Sequence, residues 1–206
     1  MSLARTMEGL MAGNSVIRKM FEMGQEMAKN YGKDQVYDFS LGNPVAPVPY
    51  EVKNAIISLL ENQDPHEIHG YMKNAGFDDV RTQVAEHLNS RFGQNYHKDN
   101  ILLCAGAAGG LNILMRCLLD EEDEVLCFAP YFTEYKSYVS HYKGKLAVVP
   151  MKADDFSLNL DAAERMIRQR TKAVILNNPN NPSGIIYSEE ELLLLTKMLK
   201  EAEERV

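Results

Sequence analysis

Apolar residues recur at helical spacing in the first half of the chain, and polar stretches separate the runs. Apolar residues at every fourth position, Val80, Val84, Leu88 and Phe92, predict one amphipathic helix, which Gly93 ends. A proline-rich stretch, VYDFSLGNPVAPVP, predicts a short strand that runs into irregular chain. The predicted elements are a helix over 15–30 capped by Asn14 or Ser15, the strand and irregular segment at 36–49, a helix over 51–61, a loop over 62–76 and the helix that ends at Phe92.

Beyond residue 100 short apolar runs alternate with amphipathic segments. Because the runs are nearly all apolar, they indicate strands of a sheet that is covered on both faces. Strand and helix alternate repeatedly, which predicts an α/β protein with a mostly parallel sheet flanked by helices. The predicted strands are 101–104, 124–128, 145–149 and 172–176, and the predicted helices are 106–119, 133–141, 161–170 and 188–203, the last with a Ser188–Glu191 capping box.

Composition excludes several classes of protein. The chain has 206 residues, 45% of them hydrophobic, and a net charge of −7 without a basic block, so nucleic acid is not an expected partner. No apolar run approaches the roughly 20 residues of a membrane helix, and the first residues do not resemble a secretory signal. Cys104, Cys117 and Cys127 are odd in number and without CxxC spacing, which predicts small buried thiols in a reducing cytoplasm.

Ligands of parallel sheets bind beyond the carboxyl ends of the strands, so the loops after 104, 128 and 176 are the candidate sites. The first, LLCAGAAGGLNIL at 102–114, has small residues where a strand turns into a helix. Such a turn brings backbone amides and a helix amino terminus close to an anion, and phosphate is the natural ligand. Taken alone, the same residues also fit a tight turn that only packs the helix closely on the sheet.

The second loop, FAPYFTEY at 128–135, carries two aromatic residues where a strand ends. A ring here can stack on a flat ligand. The alternative, favoured for the loop by itself, is that Tyr131 and Phe132 pack beneath it.

The third loop, NNPNNPSG at 177–184, holds four asparagines and two prolines. Pro179 and Pro182 fix two φ angles and bias Asn178 and Asn181 toward extended backbone. Asparagine offers both donors and an acceptor, so this loop is a stiff hydrogen-bonding device. A turn held by side-chain-to-backbone bonds is the alternative interpretation.

In this order the three loops resemble the class I/II aminotransferases, which are pyridoxal-phosphate enzymes of the aspartate aminotransferase fold. SLGNP at 40–44 is similar to the family's entry segment, and GYMKNAGFDDVR at 70–81 to its Y-x-x-x-x-G-x-x-x-L-R stretch, with Val80 in place of leucine. The resemblance implies a small-domain segment over residues 1–45 and a cofactor-binding large domain over residues 46–206.

The resemblance also implies roles for residues of the three loops. Gly106, Ala107 and Ala108 would present backbone amides to the phosphate of pyridoxal 5'-phosphate, without the hydroxyl residue that many relatives have there. Phe132 would stack on the pyridine ring. Asn181 would hydrogen-bond the cofactor's phenolic oxygen and face the substrate.

Two further roles lie outside those loops. Tyr71 would reach the phosphate of the neighbouring subunit's cofactor, which requires a homodimer. Gly42 would line the substrate pocket.

The family's Schiff-base lysine, and the aspartate and arginine that assist it, follow the asparagine–proline motif. Lys197 and Lys200, which come after that motif here, are explained as solvated helix charges. The resemblance therefore implies an N-terminal half that carries much of the cofactor cradle and no catalytic residue, and that is inactive alone.

The implied activity is transfer of an amino group between an amino acid and a 2-oxo acid. A carbon–sulfur lyase or decarboxylase-like relative of the same fold stays open, as does a non-catalytic dimerisation or interaction module. A Rossmann-like nucleotide binder is disfavoured because the glycine fingerprint and the ribose-binding acid are absent from the sequence.

Overall fold

The computed structural model describes Met7, residues 16–39, Gly42, residues 46–152 and residues 155–205. The chain divides into two compact units, Met1–Tyr71 and Met72–Val206. The predicted caps Asn14 and Ser15, and all of the SLGNP segment except Gly42, lie outside the described residues.

The described part of the first unit is helical. Its elements are α1 (Val16–Tyr31), a 3-10 turn (Lys33–Gln35), α2 (Tyr50–Asn62) and α3 (Pro65–His69). Two predicted helices are thus confirmed. The strand predicted from residue 36 is wrong over 36–39, which form no ladder with any described residue.

Helix α3 corrects the loop predicted over 62–76. Its cap is Asp64, whose side chain accepts a hydrogen bond from the His66 N–H at 2.8 Å. Pro65 occupies the first helical turn, where a missing N–H costs nothing. An Asp–Pro pair of this kind is a helix start, and it was overlooked because the surrounding residues are polar.

The second unit carries the sheet. Its elements are α4 (Asp78–Phe92), a 3-10 turn (Lys98–Asn100), α5 (Gly106–Leu118), β1 (Glu124–Phe128), α6 (Glu134–Ser140), β2 (Lys145–Val149), α7 (Leu160–Met166), β3 (Thr171–Ile175) and α8 (Glu189–Arg205). The strand order is β2-β1-β3 and both pairings are parallel, with Leu126 opposite Ala147 and Val174. The prediction of an α/β protein with a parallel sheet flanked by helices is confirmed.

Both faces of the central strand are covered, as its apolar sequence predicted. On one face Leu126 and Phe128 pack with residues of α7, α8 and the segments that lead into them, among them Leu158, Tyr187 and Leu195. On the other face Val125 packs with Met115, Leu119 and Val139 from the α5 and α6 side. Alternate residues of β1 thus serve two separate clusters, which fixes the strand between its helices.

Residues 101–104 do not form the predicted strand. The segment is extended, but among the described residues it joins no sheet, and Leu102 is 57% exposed. Its backbone is held by local bonds and loop contacts instead, among them the bond from the Leu103 N–H to the Ala75 carbonyl at 3.0 Å and that from the Ile101 N–H to the Lys98 carbonyl at 3.0 Å. An apolar run does not specify a partner strand, and here the described chain supplies none.

Helix α4 forms as predicted, and the middle of its apolar stripe, Val84 and Leu88, is half-buried. The ends of the stripe, Val80 and Phe92, are exposed, whereas Arg81 and Ala85 are buried. The buried face therefore includes an arginine that the apolar repeat did not predict. Helix α7 is shorter than predicted, because Ile167 is already extended.

The cysteine prediction is right for one residue of three. Cys127 is buried, and burial raises the pKa of its thiol to about 12, whereas Cys104 and Cys117 are exposed free thiols. No helix in the described ranges is long and apolar enough to cross a bilayer. Within the same ranges, no group of three or more His, Cys, Asp or Glu side chains is arranged to hold a metal ion.

Candidate functional site

Two of the three candidate loops leave the sheet side by side. Strand β1 ends at Phe128 and β3 at Ile175, and Cys127 is paired with Ile175 in the parallel register. Parallel neighbours end at the same edge, so the aromatic loop after β1 and the asparagine loop after β3 start next to each other. This edge is where a parallel sheet binds its ligands.

The asparagine loop is closed by its own hydrogen bonds around Asn180. The Asn180 N–H donates to the Ile185 carbonyl at 2.9 Å, and its carbonyl accepts from the Gly184 N–H at 2.7 Å. Its side-chain oxygen accepts from the Ser183 hydroxyl at 3.0 Å and from the Ser183 N–H at 3.3 Å. At 6% exposure, Asn180 is one of the few buried polar residues of the described chain.

Tyr187 connects this loop to the hydrophobic core. Its N–H donates to the Asn178 side chain at 3.1 Å, and its hydroxyl accepts from the Asn180 amide at 3.3 Å. The residue is 4% exposed and belongs to the cluster that contains Phe128. Burial raises the pKa of the Tyr187 hydroxyl above its ordinary value.

Asn181 differs from the other three asparagines of the loop. With its amide oriented to suit its neighbours, Asn177 accepts from the Asn181 N–H at 2.9 Å and donates to the Pro179 carbonyl at 3.2 Å. The Asn181 side chain is exposed, and it makes no hydrogen bond to any described residue. The interpretation as a turn held by side-chain bonds is therefore confirmed for three asparagines, while the binding role of Asn181 stays a prediction.

The far end of the loop is fixed by the predicted capping box. The Ser188 hydroxyl and N–H both donate to the Glu191 carboxylate, at 2.8 and 2.9 Å, and the Glu191 N–H donates back to the hydroxyl at 3.2 Å. The other carboxylate oxygen accepts from the Leu158 N–H at 3.2 Å. The Ser188 backbone N–H bond is the main cause that lowers the pKa of Glu191.

The turn into α5 has an open amino terminus. Gly106 takes φ +72, a left-handed conformation that suits glycine, and Ala105 supplies no side-chain cap. Gly106, Ala107 and Ala108 are exposed, and the first turn of α5 contains no acidic residue. The Gly106 N–H donates to the Cys104 carbonyl at 3.0 Å, so this predicted phosphate donor is already used within the turn. The N–H groups of Ala107 and Ala108 and the positive end of the helix dipole face solvent, an arrangement that suits an anion.

The direction of α5 places this turn away from the amino edge of the sheet. The carboxyl end of α5 lies at the amino edge of the sheet. Gly144 directly precedes β2, and a Cβ added to Gly144 would lie 2.9 Å from the side chain of Leu119, the residue that follows α5. Met115 packs in the same cluster as Val125, at the start of β1. A helix of 13 residues is about 20 Å long, so Gly106 is directed away from the amino edge of the strands.

Two residues of the Tyr–Gly–Arg stretch brace the chain that leads into this turn. Gly76 takes φ +103, and a Cβ there would lie 2.6 Å from Leu103, so its missing side chain permits the contact. Arg81 is 7% exposed and donates through Nε to the Ile101 carbonyl at 2.8 Å. The motif pointed to both positions, but only the coordinates give them this supporting role.

Arg81 is held in turn by two carboxylates, Asp78 at 3.2 Å and Asp99 at 3.4 Å. Asp78 also accepts from Lys73 at 2.7 Å and from Lys98 at 2.9 Å. These two lysine bonds lower the pKa of Asp78 to about 2. Sequence reasoning missed this network, because charged residues on a helix are ordinarily solvated.

The aromatic loop combines its two interpretations. Phe132 is half-buried and meets the Tyr135 ring edge to face at 5.7 Å, while Tyr131 stacks on the same ring at 6.5 Å. Packing beneath the loop is therefore part of what these rings do. A half-buried Phe132 still has surface for a ligand, and its stacking role stays a prediction.

Tyr71 and Gly42 belong to the first unit. Tyr71 is fully exposed, and Gly42 is exposed as well. Their predicted roles toward a neighbouring subunit's cofactor and toward substrate stay predictions, as do the cofactor contacts of the other site residues.

Comparison with known proteins gives a consistent family. The sequence model described as "Aminotransferase class I and II" matches residues 34–205. A probable aspartate/prephenate aminotransferase from Aquifex aeolicus is 34% identical over 158 residues, 76% of this chain and 39% of that protein. An aspartate aminotransferase from Sulfurisphaera tokodaii is 29% identical over 197 residues, 93% of this chain and 48% of that protein.

Solved structures agree with the sequence relatives. An amino transferase from Eubacterium rectale matches with TM-score 0.95 and 38% identity, over 100% of this chain and 52% of that one. Aspartate aminotransferase from Thermus thermophilus with maleate matches with TM-score 0.82 and 25% identity, over 98% of this chain and 51% of that one. The chain thus spans about half the length of these structures. The parallel sheet with its helices is part of the fold of pyridoxal-phosphate-dependent transferases, and the chain belongs to the class I and II aminotransferase family.

Proposed function

We propose that this protein is a pyridoxal-phosphate-dependent aminotransferase that transfers an amino group between an amino acid and a 2-oxo acid. The observation that carries the proposal is the state of Asn181. The side chain of every other asparagine is bonded to the loop or to Tyr187 just after it, whereas the Asn181 side chain is exposed and unbonded among the described residues. An amide left free at the ligand-binding edge of a parallel sheet is available for a ligand.

The turn at the start of α5 fits a phosphate. Its exposed residues Ala107 and Ala108 contribute N–H groups, and Gly106, whose own N–H donates to the Cys104 carbonyl, leaves the space in front of them open. A phosphate dianion would satisfy those donors and oppose the positive end of the helix dipole. Because the turn offers no hydroxyl, backbone amides would carry this binding.

Asn181 and Phe132 would hold the ring of the cofactor. A donor amide stabilises a phenolate oxygen, and an aromatic face holds a flat ring without using its polar edge. When bound, pyridoxal phosphate acts as an electron sink that makes the α-proton of an amino acid removable. The part of residues 1–206 in this chemistry would be to bind and orient the cofactor.

The substrate class and assembly are also proposals. Curated relatives are named aspartate aminotransferases, which supports an amino acid and a 2-oxo acid as substrates. Tyr71, fully exposed, would serve the cofactor of a neighbouring subunit in a homodimer, and Gly42 would line the substrate pocket. Two exposed free thiols, Cys104 and Cys117, support a reducing compartment such as the cytoplasm.

We expect residues 1–206 alone to bind cofactor without catalysing transfer. The lysines that follow the asparagine loop, Lys197 and Lys200, are both exposed on α8, and Lys197 is within 3.8 Å of Glu201. A surface helix of this kind does not supply the desolvated setting of a Schiff-base lysine.

Binding of pyridoxamine phosphate tests the cofactor part of the proposal. This probe has no aldehyde, so surface lysines cannot capture it covalently. We expect saturable binding by calorimetry that is lost in Ala108→Asp and weakened in Asn181→Ala, while Gly109→Ala, inside α5, binds as the wild type does. NAD is the comparison ligand, and stabilisation by NAD without binding of pyridoxamine phosphate would contradict the proposal.

Amino transfer is tested on the protein at its full length. Incubated with aspartate and 2-oxoglutarate, it should produce glutamate, and production should require both substrates. Elimination from an amino acid without any 2-oxo acid would instead favour a lyase of the same fold.

A further inference from the structure

Asn180 and Asn181 are adjacent in the chain but have opposite environments. Asn180 is 6% exposed, and its backbone and side chain all bond within residues 180–187. Asn181 is exposed, and its side chain has no hydrogen-bonding partner among the described residues. The buried neighbour therefore fixes the backbone from which the free side chain projects.

We propose that Asn180 and Tyr187 are positioning residues, a buried amide–phenol pair that holds the Asn181 side chain ready for its ligand. The inference rests on the proposed function, because the ligand of Asn181 is the cofactor of that function. Neither residue of the pair needs to touch the cofactor. Each acts through the backbone of the loop.

The bonds of the pair close the loop from two sides. The Asn180 side chain joins Ser183 through its oxygen, at 3.0 Å, and Tyr187 through its nitrogen, at 3.3 Å. The Tyr187 N–H then reaches back to Asn178 at 3.1 Å, on the other side of Asn181. Two residues before Asn181, Asn178 and Asn180, are thus tied to one tyrosine, and Ser183 after it is tied to Asn180.

That tyrosine is anchored where it cannot move independently. Tyr187 is 4% exposed and packs in the cluster that contains Phe128 and Leu195. Phe128 ends β1 and so lies at the edge from which the aromatic loop departs. The cluster therefore sets the loop of Asn181 against the same rigid strand that carries the second half of the proposed site.

Pre-positioning of this kind raises affinity without a new contact. A donor on a mobile loop must be ordered when the ligand binds, which costs conformational entropy. A donor on a loop already closed by buried bonds is spared most of that cost. Loosening the pair should therefore weaken ligand binding although every ligand-contacting residue is intact.

Amide hydrogen exchange without ligand tests the pair directly. Tyr187→Phe removes only the hydroxyl that accepts from Asn180, and it should raise exchange of the Gly184 and Tyr187-position amides about fivefold. Amides of β1 should exchange as in the wild type. Ser183→Ala removes the other side-chain bond and provides a milder second variant.

Affinity for pyridoxamine phosphate is the second measurement, made on the same chain. Tyr187→Phe should weaken binding by about threefold to tenfold, which corresponds to the loss of one hydrogen bond. Val125→Ala is the matched control, since it removes buried volume at the amino end of β1 and leaves the loop unaltered. It should lower thermal stability and leave both loop exchange and affinity at wild-type values.

The possible outcomes distinguish a failure of the inference about Asn180 and Tyr187 from a failure of the proposed function. If Tyr187→Phe and Ser183→Ala leave loop exchange unchanged, the pair does not hold the loop and the inference is wrong. If exchange rises but affinity falls no further than in Val125→Ala, holding the loop does not serve the ligand, which also overturns it. Failure of the wild type to bind pyridoxamine phosphate overturns the proposed function, and loop exchange then still decides whether the pair holds the loop.

Discussion

The loop after β3 and the turn into α5 belong to the same unit but are held by different means. The asparagine loop is closed from within, by bonds among Asn178, Asn180, Ser183 and Tyr187. The turn at Gly106 has no side-chain cap, and the chain before it is held from outside, by Gly76 and Arg81.

The difference reflects what each region leaves unsatisfied. The loop satisfies its own polar groups and leaves one side-chain amide free, so it offers a single directed contact. The turn leaves backbone N–H groups at the start of α5 open to solvent, so it presents the positive end of the helix dipole to a ligand. A ligand with one phenolate oxygen and one phosphate would match the two regions in turn.

The largest effect on stability is expected from the contact between Gly76 and Leu103, which helps to hold the chain before the turn. In Gly76→Ala the new Cβ would lie 2.6 Å from Leu103 in a backbone with φ +103. Strain and overlap together should destabilise the chain by about 3 kcal/mol. Urea unfolding measures the change, and Gly109→Ala, with nothing within 4 Å of its Cβ, is the control and should be neutral or stabilising. Equal losses of stability in Gly76→Ala and Gly109→Ala would show that the close contact of Gly76 with Leu103 does not hold the chain before the turn.

The internal closure of the loop is tested by its two neighbouring asparagines. Asn180→Ala leaves the Tyr187 hydroxyl and Ser183 without their buried partner and should cost about 2 kcal/mol in the free energy of unfolding. Asn181→Ala removes an exposed, unbonded side chain and should change stability by less than about 0.5 kcal/mol. Similar losses of stability in Asn180→Ala and Asn181→Ala would show that the buried bonds of Asn180 do not stabilise the loop.

A charge at the open turn should have opposite effects with and without ligand. Ala108→Asp places a carboxylate in the first turn of α5, where the helix dipole should stabilise it by about 0.5 kcal/mol. The same charge should cancel stabilisation by pyridoxamine phosphate. Thermal melts with and without the ligand measure both, and a variant that keeps the ligand's stabilisation would place the phosphate elsewhere.

The smallest effect is expected from the ion network around Arg81, and it depends on pH. Asp78 has a pKa lowered from 3.8 to about 2, so its contribution to stability is present above pH 4 and is lost as pH falls through about 2. Asp78→Asn should therefore destabilise the chain slightly at neutral pH, and the difference from wild type should close in acid.

Asp79→Asn is the control for that measurement, because Asp79 is in the same helical turn and forms no ion pair with described residues. A difference for Asp78→Asn that persists unchanged at pH 2 would contradict a charge-based role.

Much of the fold followed from local pattern. Strands β1 and β2 were predicted at their observed bounds, because short apolar runs between turn residues have few other solutions. The capping box at Ser188 was predicted from spacing alone. The strand predicted at 101–104 is wrong, because a strand forms only when it pairs with another strand, and the apolar pattern does not identify that partner.

The sequence alone determined most of the helices, the three strands of the sheet and their parallel arrangement, and that a turn of small residues and a stiff amide-rich loop follow apolar runs. The periodicity of side chains and the restricted φ of proline are local properties, so they act before any tertiary contact. Tertiary structure alone decided that Arg81 faces inward, that Asn180 is buried while Asn181 is free, and that Tyr187 joins the loop to the core. The bonds of Asn180 are local, but burial comes from distant segments, since Tyr187 packs against β1 and α8, and two adjacent residues of one type can therefore differ completely.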